Sequence, residues 1–128
     1  MSKTLLIVED DQFCHDLYEA ILESTDYRVI HAYHGNDALA KLETNKPDLI
    51  IIDISLVMMT SVTFFLYLRS KQEYLNIPVI IVTNALNRTY ESLSKIDPNL
   101  VISDKTVRSE NLIMTIKTKI ENENMALV

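Results

Sequence analysis

The chain has 128 residues, the usual length of one domain, and it is long enough to bury a substantial core. Apolar residues make up 48% of it and charged residues 23%, but glycine occurs only once, at Gly35. This scarcity excludes phosphate-binding loops built on several spaced glycines, and the net charge of −6 argues against direct binding to a nucleic-acid backbone.

We expect neither a signal peptide nor a membrane span in this sequence. The N-terminal apolar run is too short for the core of a signal peptide, and no stretch approaches the roughly 18 apolar residues of a membrane span. The single cysteine, Cys14, cannot form an internal disulfide and is typical of a reducing compartment. We therefore expect a cytoplasmic protein that does not associate with a membrane.

Five short apolar runs predict five β-strands. They cover residues 5–8, 27–32, 49–52, 79–82 and 100–102. Runs this short and this rich in Ile and Val are typical of strands buried on both faces of a parallel sheet. The run at 27–32 is more mixed in polarity, which suits an edge strand.

Each predicted strand is followed by a segment with helical spacing of apolar residues. In the first segment the spaced residues include Phe13, Leu17 and Ile21, and in the last they include Ile116 and Ile120. This alternation predicts an α/β domain of βα units with right-handed crossovers. The open parallel sheet is covered by helices on both sides, and we place the domain at 1–122 and a C-terminal tail at 123–128.

Polar residues that could carry chemistry follow the predicted central strands. They are Glu9, Asp10, Asp53, Thr83 and Lys105. Taken singly, each is an ordinary loop, cap or surface residue. Because the carboxyl ends of parallel strands share one edge, where open α/β sheets bind ligands, we expect the five to converge there.

Clustered carboxylates repel one another, and burial increases the penalty. A hard divalent cation such as Mg²⁺ relieves this repulsion, since it binds carboxylate oxygens and commonly partners a phosphate. A carboxylate at such a site can also act as a nucleophile and form an aspartyl-phosphate. Phosphoryl transfer then needs positioning and charge neutralisation, which a cation, an ammonium and a hydroxyl supply.

Four segments with these spacings resemble the CheY-like receiver domain of two-component response regulators. They are residues 6–11, 47–53 and 78–83 together with Lys105, and the similarity spans about residues 3–122. The resemblance implies a doubly wound, flavodoxin-like fold with five helices and a five-stranded parallel sheet in the order 2-1-3-4-5. It also implies a role in a phosphorelay.

By this resemblance Asp53 is the phosphoacceptor, and Glu9 and Asp10 stand where the family has its metal-binding acid pair. The backbone carbonyl of Ser55 would complete the ligands that the protein gives to Mg²⁺. Asp11 is additional to the family pattern. We expect it to cap a helix rather than to bind the metal.

The resemblance also assigns the groups that contact the phosphoryl group. Lys105 would pair with Asp53 and then with the phosphoryl oxygens. Thr83 would donate through its hydroxyl and Asn84 through its backbone N–H. The phosphodonor would be a sensor histidine kinase or a phosphotransfer protein, and the output would pass to a downstream protein target or effector.

Four positions depart from the family pattern. Thr106 stands where Pro usually follows the lysine, and Ile102 occupies the switch position usually held by an aromatic residue. The segment 57–61 lacks the usual Pro and Gly, and Asn84 is bulkier than the usual Ala or Gly. We expect a trans bond between Lys105 and Thr106, because a cis bond without proline costs about 2.5–4 kcal/mol. The alternative function is therefore an atypical receiver that acts as a docking module without phosphorylation.

Two further expectations concern activity and assembly. Neither Asp10 nor Asp53 begins the Asp-x-Asp-x-Thr sequence of haloacid-dehalogenase-type phosphatases, so we do not expect an enzyme with turnover. The segment 64–68 is apolar almost all round its predicted helix, which leaves a homodimer open.

Overall fold

A computed structural model describes residues 2–54, 58–83, 88–104 and 109–126 of the chain. Its centre is one five-stranded sheet in the order β2-β1-β3-β4-β5, and every pairing in it is parallel. The strands are β1 Thr4–Val8, β2 Arg28–Ala32, β3 Leu49–Ile54, β4 Val79–Thr83 and β5 Val101–Asp104. The predicted strand order is confirmed, and the more polar β2 lies at an edge.

Five helices alternate with the strands, as the sequence predicts. They are α1 Gln12–Leu22, α2 Gly35–Thr44, α3 Met58–Ser70, α4 Arg88–Ile96 and α5 Ser109–Ala126. Helix α5 extends to Ala126, so it includes most of the segment 123–128 that the sequence predicts as a C-terminal tail. Helix α3 begins at Met58, so most of the segment 57–61 lies in its first turn.

The core has two layers, one on each face of the sheet. On one face the strands pack with residues of α2, α3 and α4, among them Leu42, Phe65 and Leu93. On the other face they pack with α1 and α5, through residues such as Leu22 and Ile116. The central strands alternate side chains between these layers, and continuous apolar runs result because both layers are buried.

The buried face of α1 differs from the one that the apolar spacing indicates. Phe13 is 68% exposed and Leu17 is 50% exposed, and Ile21 is only partly buried. The buried residues are instead His15, Tyr18 and Leu22. The expectation for this helix face was wrong, because two of the inward side chains are polar and find hydrogen-bond partners inside the fold.

The apolar segment of α3 is largely part of the core. Phe64, Phe65 and Leu68 are all buried, whereas Leu66 is 42% exposed and Tyr67 is half-buried. Most of the apolar surface of segment 64–68, on which the hypothesis of a homodimer was based, is therefore covered within the domain.

Candidate functional site

The register of the sheet places two of the predicted acidic residues side by side. Val8 of β1 is paired with Ile52 of β3, so the next residues along these strands, Glu9 and Asp53, are neighbours at the carboxyl edge. Glu9 is 1% exposed and Asp53 is 6% exposed. The prediction that these carboxylates converge is confirmed in the folded chain.

The next strand adds the predicted hydroxyl to the same edge. Thr83 is the last residue of β4, is paired with Ile54, and is 3% exposed. Ile102 lies in β5, paired with Ile81, and is partly buried against the layer that contains Phe65.

Three predicted site residues lie outside the described residues. They are Ser55, Asn84 and Lys105, and the bond from Lys105 to Thr106 lies outside them as well.

A group of three potential metal ligands lies at this edge. One ligand atom from each of Glu9, Cys14 and Asp53 lies within 4.8 Å of the other two. Asp10, predicted as a metal ligand, is exposed and does not belong to this group. The two carboxylates fit a hard cation such as Mg²⁺, which takes oxygen ligands, whereas the Cys14 sulfur is a softer donor that Mg²⁺ does not prefer.

Asp53 also has a partner that no sequence pattern indicates. The hydroxyl of Tyr18 on α1 donates a hydrogen bond to Asp53 Oδ2 over 2.7 Å. Burial, followed by the nearby Asp53 charge and this hydrogen bond, raises the pKa of Tyr18 well above its ordinary value. The phenol is therefore a neutral donor to the carboxylate at physiological pH.

The turn from β1 into α1 is organised by its own carboxylates. Asp11 is the N-cap of α1, and its Oδ1 accepts a hydrogen bond from the Phe13 N–H over 2.9 Å. Glu9 Oε1 accepts from the Asp11 N–H over 3.1 Å. The capping role expected for Asp11 is confirmed.

A pair of histidines connects this turn to the surface. His15 is 1% exposed, and its Nε2 bonds the carbonyl oxygen of Glu9 over 2.7 Å. Its Nδ1 meets Nδ1 of His31, whose Nε2 lies 2.6 Å from Glu19 Oε1. Because a carbonyl only accepts, His15 Nε2 carries a hydrogen, and in the neutral ring its Nδ1 accepts from His31.

The burial of His15 has an electrostatic consequence. Burial is the largest effect on its pKa, which is lowered from the ordinary value despite the hydrogen bond to Glu9. Sequence reasoning places a lone histidine of an amphipathic helix at the surface, and for His15 this expectation is wrong. Its spacing from Tyr18 and Leu22, at i, i+3 and i+7, was the available signal.

Comparison with known sequences agrees with this fold. The family described as "Response regulator receiver domain" matches residues 5–117. The chain therefore belongs to the response regulator receiver domain family. The helices and the sheet order are what the resemblance implied.

Two relatives of the chain are bacterial regulatory proteins. Residues of this chain are 37% identical over 83 positions to the alkaline phosphatase synthesis transcriptional regulatory protein PhoP of Bacillus subtilis, a match covering 65% of this chain and 34% of PhoP. The polar-differentiation response regulator DivK of Brucella anthropi is 34% identical over 83 positions, or 65% of this chain and 68% of DivK. The match thus spans about a third of the length of PhoP.

Solved structures share the fold over nearly the whole chain. A CheY-like response regulator receiver domain protein from Methanospirillum hungatei has a TM-score of 0.85 and 25% identity, covering 98% of this chain and 99% of that one. Chemotaxis protein CheY4 of Vibrio cholerae has a TM-score of 0.81 and 24% identity, covering 92% of this chain and 98% of that one.

Among the described residues, no helix is both long and apolar enough to cross a membrane.

Proposed function

We propose that this chain is a phosphoacceptor receiver that takes a phosphoryl group on Asp53 in a Mg²⁺-dependent reaction. The observation that carries the proposal is the buried pair of Glu9 and Asp53, set side by side by the register of β1 and β3. Thr83, buried at the end of the neighbouring strand, supports it. We assign this function to a domain at 1–122.

The chain's own groups divide the work of the reaction. A carboxylate oxygen of Asp53 attacks phosphorus while the bond from phosphorus to the donor breaks, and the electron pair of that bond stays with the donor. Glu9 and Asp53, with Asp10 and the Ser55 carbonyl, would hold Mg²⁺. When bound, the ion supplies the positive charge that offsets the carboxylates and the phosphoryl oxygens.

The remaining contacts would orient the phosphoryl group. The Thr83 hydroxyl donates to one of its oxygens, and Lys105 and the Asn84 N–H take the positions implied by the family. Receiver domains are signalling modules, and we propose that this one has no turnover reaction beyond hydrolysis of its own phosphoryl group.

The phosphodonor in this proposal is a histidine kinase or a phosphotransfer protein, and the output passes through protein–protein contacts. The exposed side of α1 supports a protein donor, because Phe13 is exposed in the first turn after the acids and Leu17 is exposed one turn further along. The lone Cys14 suits a reducing compartment, and we place the reaction in the cytoplasm.

The test is to incubate the protein with acetyl phosphate and Mg²⁺ and to measure the intact mass. We expect the mass of one added phosphoryl group on the wild type and none on Asp53→Asn. Asp26→Asn is the matched control, because Asp26 is an exposed carboxylate outside the site, and it should label like the wild type. Chelation of Mg²⁺ with EDTA should abolish labelling.

The alternative receiver, a docking module without phosphorylation, gives a different outcome. In that case the wild type would carry no adduct under conditions that label an ordinary receiver domain. An adduct that survives Asp53→Asn would also contradict the assignment, because it would place the phosphoryl group on another residue.

A further inference from the structure

Tyr18 is held against the proposed phosphoacceptor by the core of the domain. Its side chain is 5% exposed and packs in the layer between α1, α5 and the sheet, with Leu5 and Ile7 of β1. Its hydroxyl reaches Asp53 Oδ2 over 2.7 Å, within the usual range for an O–H···O hydrogen bond. The packed ring keeps the donor in place.

The strength of this hydrogen bond depends on the chemical state of Asp53. In the free carboxylate the acceptor oxygen shares a negative charge, and hydrogen bonds to charged acceptors are roughly twice as strong as neutral ones. In the aspartyl-phosphate, the oxygen not bonded to phosphorus becomes an uncharged carbonyl oxygen. The Tyr18 hydroxyl therefore stabilises the unphosphorylated state of Asp53 more than the phosphorylated state.

We propose that Tyr18 shortens the lifetime of the phosphoryl group on Asp53 by donating a hydrogen bond to the departing carboxylate. This inference rests on the proposed function. In hydrolysis, a water oxygen bonds to phosphorus as the bond from Asp53 oxygen to phosphorus breaks. The electron pair of that bond returns to Asp53, and the proton of the water passes to the phosphate product or to solvent.

The effect should fall on hydrolysis rather than on phosphorylation. In a loose transition state for phosphoryl transfer, the Asp53 oxygen already carries much of the charge of a free carboxylate. Hydrolysis starts from the uncharged acyl oxygen and gains the hydrogen bond on the way to this state. Phosphorylation starts from the charged Asp53 carboxylate, and in the transition state the Asp53 oxygen is still similarly charged. The Tyr18 hydrogen bond is therefore about equally strong in both states, and Tyr18 contributes little to the rate of phosphorylation.

The experiment compares the wild type with Tyr18→Phe, which keeps the ring and removes the hydroxyl. Both are labelled with acetyl phosphate and Mg²⁺, desalted, and followed by intact mass. We expect an approximately fivefold longer phosphoryl half-life in Tyr18→Phe, equal to about 1 kcal/mol at 1.4 kcal/mol per tenfold. The rate of labelling should stay within about twofold of the wild type, as a loose transition state requires.

Three further samples separate the hydroxyl from the ring and the fold. Tyr27→Phe is the matched control, because Tyr27 packs against the same core layer but lies just before β2, at the amino ends of the strands and away from Asp53. The phosphoryl half-life of Tyr27→Phe should equal that of the wild type. In urea the half-lives of all proteins should coincide, because the unfolded chain does not hold Tyr18 beside Asp53. If Tyr18→Phe does not fold, 3-fluorotyrosine at position 18 keeps the ring and donates more strongly, and should shorten the half-life.

Two results would overturn this inference without touching the proposed function. One is an unchanged half-life in folded Tyr18→Phe or in the fluorotyrosine protein. The other is a labelling rate that falls in proportion to the decay rate, which would indicate general damage to the site. A wild type that takes no phosphoryl group would contradict the proposed function, and this inference with it.

Discussion

Helices α1 and α5 cover the same face of the sheet, yet they use opposite kinds of side chain to do so. Helix α5 buries the apolar stripe of Leu112, Ile116 and Ile120. Helix α1 buries the polar His15 and Tyr18 together with Leu22, and leaves the apolar Phe13 and Leu17 largely exposed to solvent. The difference follows from position, because α1 begins directly after the acids of the site.

Burial of polar groups in α1 is sustained by partners that lie far away in the sequence. Tyr18 bonds Asp53, 35 residues further along the chain, and His15 meets His31. A buried polar group without such a partner would be costly. We infer that α5 serves mainly to close the core, and that α1 serves the site on its inner side and is available to partners on its outer side.

The largest expected effect is the loss of stability caused by a substitution in the buried face of α5. Ile116 is 0% exposed, so Ile116→Ala removes buried methyl groups and should lower the free energy of unfolding by about 3 kcal/mol. Urea unfolding with an unchanged m-value measures this. Met114→Ala is the matched control on the same helix, since Met114 is 65% exposed and its loss should cost less than about 0.5 kcal/mol. Equal costs at both positions would contradict the assigned helix face.

The outer side of α1 should show the reverse pattern, with little effect on stability and a larger effect on phosphotransfer. Phe13→Ser and Leu17→Ser together remove exposed apolar surface, of the kind that marks a protein contact. We expect phosphotransfer from a protein donor to slow by about tenfold, which corresponds to about 1.4 kcal/mol of lost contact energy. Labelling by acetyl phosphate, which needs no docking surface, serves as the internal control.

The two rates separate docking from chemistry. If both slow together, the substitutions have disturbed the site itself. If neither changes, this side of α1 does not contact the donor, and the donor must approach over another surface.

The contrast between the apolar buried face of α5 and the polar buried face of α1 also explains how much of the structure the sequence alone could predict. The sheet and α5 were predictable because strands and helices that bury apolar side chains leave a local periodic pattern. Glu9, Asp53 and Thr83 were predictable as neighbours because parallel strands bring their carboxyl ends to one edge. The inward face of α1 was not predictable from the sequence. Burial of Tyr18 is favourable because its hydroxyl bonds Asp53, and no local sequence pattern encodes that pairing.

The smallest expected effect concerns His15 and the pH dependence of stability. Burial lowers its pKa in the folded protein, whereas an unfolded histidine titrates near 6.5. As the pH falls below about 6.5, the unfolded chain binds a proton at His15 that the folded chain resists, so the free energy of unfolding decreases. One such group contributes a slope of at most about 1.4 kcal/mol per pH unit.

His15→Gln should remove that contribution, so the difference in unfolding free energy between the two proteins should shrink as the pH is lowered from 7.5 toward 5.5. Urea titrations at several pH values measure this difference. A parallel pH dependence in wild type and His15→Gln would mean that the protonation of His15 is not coupled to folding. The buried side of α1 would then depend on Tyr18 and its bond to Asp53, and the histidine pair would be a packing contact.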